Sequence, residues 1–188
     1  MADSTEQPAR KYPTPPETVE GEGITLRRWR LSDLDEHFAI VEPSMPELSK
    51  WMSWATNGYT KEDSEGFLKF SNGNWEKGGD FDFAIVDNGK LAGSASLMKP
   101  LKGDKGFAIG YWVATSCTGR GLAKRASILL TKTAFDIGAE CVQIGHDVNN
   151  LRSRTIPEKL GFTCLGEIKS AMKKDTPDVV WQVDRPEQ

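Results

Sequence analysis

The sequence predicts an α/β fold: a single sheet with helices on both faces. Three observations carry that prediction. An alternating strand, Ile24 to Trp29, runs straight into a helical stretch. The tetrapeptide Asp87-Asn88-Gly89-Lys90 sits between two apolar runs, a strong short-range signal for a β-hairpin. From Phe107 onward apolar strand segments alternate with helical ones, and glycines close both helices.

Taken in order, residues 1–21 carry Pro8, Pro13, Pro15 and Pro16 among polar side chains. Such a segment has too little apolar surface to order itself, so a flexible tail is expected there and one domain over 22–185. Ile24, Leu26 and Arg28 share one strand face. Ser32, with Asp35 and Glu36 behind it, reads as the N-cap of a helix that carries Leu34, Phe38 and Val41. Pro43 and Pro46 break that helix, and Leu48, Trp51, Met52 and Ala55 follow at helical spacing. Thr60 caps a third helix whose stripe is Phe67, Phe70 and Trp75 and whose stop is Gly78-Gly79.

Phe81, Phe83 and Ile85 then alternate into the hairpin turn, with Leu91 to Met98 as the returning strand and Phe107 to Val113 as the next. Leu122, Ala126, Leu129 and Leu130 recur at i, i+4, i+7 and i+8, the one-sided pattern of a helix lying on a sheet, and Gly138 ends it. Val142, Ile144 and His146 mark a strand, 149–160 a helix stopped by Gly161, and 162–169 and 179–183 two more strands. The order β-α-α-α-β-β-β-α-β-α-β-β makes a sheet of about seven strands.

Composition narrows the function. A chain of 188 residues with net charge −3 is long enough to bury a core without disulfides and has no basic field for nucleic acid. Cys117, Cys141 and Cys164 are widely spaced and only two histidines accompany them, so no metal site is expected. Reduced thiols, with no signal peptide and no apolar run near the roughly 18 residues of a membrane span, fit a cytoplasmic protein without a membrane partner.

The chemical signal lies at Thr118-Gly119-Arg120-Gly121-Leu122-Ala123, between an apolar strand and a long helix. Glycines let the backbone approach a ligand closely, and the first amides of the helix point outward unpaired, so an anion can dock. Plain chain reversal uses the same residues. The segment resembles the pyrophosphate loop of the GNAT N-acetyltransferase superfamily, (Q/R)-x-x-G-x-(G/A), matching at Gly121 and Ala123 and departing at Thr118. Ile24-Thr25-Leu26-Arg27, Ile109-Gly110-Tyr111-Trp112-Val113, Asn150-Leu151-Arg152-Ser153 and Glu158-Lys159-Leu160-Gly161-Phe162 are similar to its ribosomal-protein alanine/serine N-acetyltransferase (RimJ/RimL-like) branch. The similarity spans roughly residues 22 to 183.

The resemblance implies a mixed, mostly antiparallel sheet with a strand split that takes up acetyl-CoA. It implies that Gly119, Arg120, Gly121, Leu122, Ala123 and Lys124 cradle the pyrophosphate. The backbone of Trp112, Val113 and Ala114 pairs with the pantetheine arm, and the Val113 amide polarises the thioester carbonyl. It implies that Ser153 protonates the leaving thiolate and that Asn150 caps the helix or holds the pantetheine. The usual carboxylate base position holds Ala108, the usual tyrosine acid falls at Pro157, and the branch's water-ordering glutamate falls at Met172.

His146 is a proton acceptor by chemistry and a satisfied strand histidine by base rate. Trp51 and Trp54 stand where the branch builds its acceptor pocket and also at core spacing; His37 is a weaker candidate there. The expected activity is direct transfer of acetyl to an amine acceptor, an α-amino group of a peptide, protein terminus or amino-acyl small molecule. An antibiotic or polyamine acceptor is the alternative, supported by Asp33, Asp35, Glu36, Glu42 and Glu47. A non-catalytic acyl-CoA-binding module is the other, supported by the vacancies at Ala108 and Pro157. A homodimer is the assembly that base rates favour.

Overall fold

The computed structural model describes residues 12–55, 58–170 and 175–187. Its eight strands are β1 (Thr18–Gly21), β2 (Ile24–Arg28), β3 (Phe81–Asp87), β4 (Lys90–Met98), β5 (Gly106–Val113), β6 (Cys141–Asp147), β7 (Thr163–Ile168) and β8 (Asp178–Asp184). The helices are α1 (Leu34–Val41), α2 (Met45–Leu48), α3 (Lys61–Lys77), α4 (Leu122–Asp136) and α5 (Leu151–Lys159). They build one open sheet in the order β1-β2-β3-β4-β5-β6-β8-β7. Every neighbouring pair is antiparallel except β5 and β6.

The eighth strand is β1, inside the stretch expected to be a tail. It pairs with β2 from Thr18↔Arg27 to Gly21↔Ile24 across a two-residue turn, Glu22 (φ 52°) and Gly23 (φ 69°). Positive φ at both positions is the turn geometry that matches strand twist. Of the expected tail, residues 1–11 lie outside the described residues, as does Met172.

Each face of the sheet carries buried apolar side chains. Ile85, Leu26, Leu97 and Ile109 meet Leu122, Ala126, Leu129 and Leu130 of α4 in one cluster. Ala84, next to Ile85 and therefore on the opposite face, meets Leu68 of α3 and Leu34 and Ile40 of α1 in another. Covered on both sides, β3 is buried at all but one position.

Local chemistry sets the ends. Thr60 Oγ1 accepts from the Asp63 amide at 3.2 Å, starting α3, and Gly78 in the left-handed region ends it. Asn88 (φ 50°) and Gly89 (φ 75°) make the β3–β4 hairpin turn. Ser32 is not a cap. A 3-10 turn, Leu31–Asp33, precedes α1, and the Asp33 carboxylate accepts from the Arg27 guanidinium at 2.7 and 2.9 Å and from the Arg30 amide at 2.8 Å. Phe70 is 63% exposed, and the buried stripe of α3 is Ser64, Leu68, Ser71 and Trp75. Pro46 sits in the first turn of α2, where its missing N–H costs nothing. Only four residues of that segment are helical; turns carry the chain on through Trp51 to Ala55.

Candidate active site

β5 and β6 pair in parallel from Gly106↔Cys141 to Ile109↔Ile144. Both strands continue, to Val113 and Asp147, without pairing further. Between them opens a cavity of about 530 Å³.

Strand alternation decides which peptide groups face it. The Ala114 amide donates to the Ala92 carbonyl at 2.9 Å, and the Trp112 carbonyl lies against Gly93. Residues 112 and 114 therefore direct their peptide groups at β4, and those of Tyr111 and Val113 face the split. This corrects the expectation for Trp112 and Ala114, whose backbones are committed to β4. The Ala114 carbonyl is taken as well, by the Cys117 amide at 2.8 Å. Trp112 lines the cavity all the same.

The glycine turn closes one end. Gly119 (φ 80°) and Gly121 (φ 69°) hold left-handed conformations, and a Cβ at either would meet nothing within 4 Å. Gly121 is the N-cap of α4 without a side-chain cap, and the first helical bond runs from the Arg125 amide to its carbonyl at 3.0 Å. The amides of Leu122, Ala123 and Lys124 stay outside that ladder, and these residues line the cavity. A diphosphate fits such a cradle. Arg120 does not join it: its guanidinium ion-pairs with the buried carboxylate of Asp87 at the end of β3. A buried carboxylate demands a partner, which explains the turn away from the cavity.

Ser153 is fixed from two sides. Asn150 caps α5, its Oδ1 accepting from the Ser153 amide at 3.1 Å. The Ser153 Oγ lies 2.7 Å from the Tyr111 hydroxyl, and both residues line the cavity. Burial pushes the Tyr111 phenol up to about 12, while the Ser153 bond pulls it down. The Tyr111 side chain was not singled out from sequence. A tyrosine within an apolar strand run is the available signal, because its hydroxyl needs a partner when buried.

His146 is committed elsewhere. The Trp181 indole N–H, a donor only, gives its hydrogen to Nε2 at 3.0 Å, so Nδ1 carries the ring proton and donates to the Asp147 carbonyl at 2.8 Å. With its lone pair engaged, the ring ties β6 to β8 and offers no base. Both His146 and Asp147 touch the cavity wall, although strand alternation alone would allow only one.

At the other end, α2 and the turns behind it contribute Glu47, Leu48, Trp51 and Met52. Glu47 accepts from Lys50 at 2.6 Å, which holds its carboxyl below the usual range. Trp54 is 41% exposed, its ring tilted at 59° to that of Trp112 with centroids 6.2 Å apart, off the cavity wall. His37 is 2% exposed behind Trp112, bonded to Ser64 Oγ at 3.0 Å, and burial lowers it to about 4. Neither lines the cavity.

The expected acidic cluster also dissolves. Asp33 pairs with Arg27, Asp35 with Lys61, and Glu36 accepts from the Leu91 amide at 2.9 Å, which leaves Glu42 and Glu47, and of these two Glu47 lines the cavity. Ala108 is buried at the cavity wall and Pro157 inside α5, so neither usual catalytic position carries a titratable group. Among the described residues no cluster of His, Cys, Asp or Glu could hold a metal ion, and no helix is long and apolar enough to cross a membrane.

Comparisons with known proteins give the family. A family model described as an acetyltransferase (GNAT) domain matches residues 24–163. YdaF of Bacillus subtilis, provisionally named a ribosomal N-acetyltransferase, is 24% identical over 156 residues, covering 80% of this chain and 84% of its own. The microcin C7 self-immunity acetyltransferase MccE, solved with acetyl-CoA and AMP, aligns with a TM-score of 0.82 and 21% identity over 92% of this chain and 98% of that one. A Salmonella typhimurium acetyltransferase that modifies the N-terminal serine of ribosomal protein L7/L12 aligns with a TM-score of 0.77 and 20% identity over 90% and 100%. The chain belongs to the GNAT acetyltransferase family, enzymes that carry acetyl from acetyl-CoA to an amine.

Proposed function

We propose that this N-acetyltransferase acts on an α-amino group, of a peptide or protein N-terminus or of an amino-acyl small molecule, by direct transfer in a ternary complex. The observation that carries the reading is the β5–β6 split, whose walls bring together the glycine cradle, the free peptide group of Val113 and the Ser153 hydroxyl.

Each demand of the chemistry has a residue. The coenzyme supplies an activated acetyl thioester. The outward amides of Leu122 to Lys124 hold its diphosphate, and the Val113 N–H stands where negative charge develops on the acetyl oxygen, a donor worth about 2.7–4 kcal/mol in characterised acyl transfer. Ser153 gives the departing sulfur its proton. No carboxylate base stands at Ala108, and an α-amino group tolerates that vacancy: with a pKa of about 7.7–8.0 it is partly neutral at cellular pH, whereas a lysine amine at about 10.4 is not. Trp51 offers an apolar wall for the acceptor, and the Salmonella enzyme modifies an N-terminal serine, an acceptor of the first of these kinds. Cytoplasmic location and a homodimer complete the reading, on reduced thiols and symmetry base rates alone.

The test pairs a peptide bearing a free N-terminal serine or alanine with an N-blocked, lysine-containing counterpart, following free thiol from acetyl-CoA. Thiol release with the free terminus alone is expected; release with the blocked peptide alone overturns the preference.

A further inference from the structure

We infer that Tyr111 is a positioning residue for the proton transfer: its phenol donates to Ser153 Oγ and leaves the serine's own proton aimed at the departing sulfur. This rests on the reading of Ser153 as the acid, and it names what makes a serine serve.

Ser153 alone is a poor directional donor, because its hydroxyl rotates freely about one bond and a serine early in a helix ordinarily turns its hydroxyl to backbone groups. Here both ends are held. Asn150 Oδ1 fixes the Ser153 amide at 3.1 Å, and Tyr111 fixes the oxygen at 2.7 Å. The phenol has one hydrogen, and its other acceptor within reach, the Ser153 carbonyl, is at 3.5 Å. Of the two hydroxyls the phenol is the stronger acid, so it is the donor. Once Oγ accepts that bond, its own hydrogen must point to another quarter, and both residues line the cavity.

The placement comes from two elements with different duties. Tyr111 lies on β5 just beyond Ile109, where pairing to β6 has stopped, so its peptide faces the split. Its ring meanwhile packs against the main core and resists displacement. Burial that holds the phenol protonated keeps it a donor throughout the working range.

The balance is complete. As the amine bonds to the acetyl carbon, the C–S bond breaks and its electron pair goes to sulfur. The Ser153 proton follows to sulfur, the phenol keeps its own proton while its bond steadies Oγ, and the proton lost by the amine returns to Oγ through solvent.

The experiment compares wild type, Tyr111→Phe, Ser153→Ala and the double variant with acetyl-CoA and the best amine of the acceptor panel. Tyr111→Phe keeps the ring and should lower kcat about tenfold while KM for acetyl-CoA stays within about twofold. Adding it to Ser153→Ala should cost nothing more. An unchanged kcat in Tyr111→Phe, or losses that multiply in the double variant, overturns the inference.

If instead Ser153→Ala leaves kcat intact, the acid assignment falls, and the hydrogen bond is judged without turnover. In a Cys117→Ala, Cys164→Ala background, the alkylation rate against pH is measured for the thiol introduced by Ser153→Cys. A midpoint that rises when Tyr111→Phe is added supports donation from the phenol; a midpoint that does not move refutes it.

Discussion

Gly93 on β4 faces Val113 on β5, and replacing it with alanine tests how the split is held open. A Cβ at residue 93 would lie 2.2 Å from the Trp112 carbonyl oxygen and 2.9 Å from the Val113 Cα. Both neighbours are backbone, so no rotamer change relieves the clash. Restoring even the shortest ordinary contact of 3.4 Å moves one strand by about 1.2 Å, the difference between 3.4 and 2.2. Two readouts should respond. Overpacking of this kind costs about 1–3 kcal/mol. At its upper end, with roughly 2–4 °C per kcal/mol for a chain this size, Tm should fall by roughly 6–12 °C in calorimetry. The strand that moves also carries the Val113 amide and Tyr111, and a misplacement of about 1 Å is enough for a roughly 10²-fold loss of kcat/KM in the thiol-release assay. Gly119→Ala is the contrast, with nothing near its Cβ and only the strain of φ 80°, about 1–2 kcal/mol. If Gly93→Ala keeps the wild-type Tm within about 2 °C and full activity, β4 and β5 are not held in contact at this point, and the argument from strand alternation fails with it.

Two further predictions concern titration and the coenzyme. Burial lowers the folded-state His37 from 6.5 to about 4, so its contribution is fully present above pH 6.5 and is lost as pH falls to 4; about 1.36 kcal/mol per unit puts that loss at about 3 kcal/mol, and urea titrations of His37→Gln should show a flatter stability profile across this window. Arg120 is paired with Asp87 and Lys124 lines the cavity, so Arg120→Ala should leave KM for acetyl-CoA within about twofold while Lys124→Ala raises it; the reverse order would return Arg120 to the cradle.

What the sequence made legible is what neighbours in the chain decide for themselves. Thr60 and Gly78 bracket α3 because a hydroxyl and a left-handed residue satisfy orphan groups within one turn. Asn88-Gly89 turns the hairpin because both accept positive φ. Glu22-Gly23 carries the same signal for β1 and was overshadowed by the prolines before it. What stayed hidden was set by partners far along the chain. Arg120 reads as a cation beside a phosphate turn until the β3 end brings Asp87 within reach. Trp112, Val113 and Ala114 read as equivalent until the Ala114–Ala92 bond fixes which peptide groups face the split. His146 reads as a base until β8 delivers Trp181.

The same reasoning bears on the vacancy at Pro157. A search of the usual position finds Pro157 and reads a loss, yet a tyrosine hydroxyl reaches the site from β5, 42 residues before the serine it touches. The vacancy was a statement about α5 alone. A cavity walled by two strands and a helix can receive a phenol from any of them.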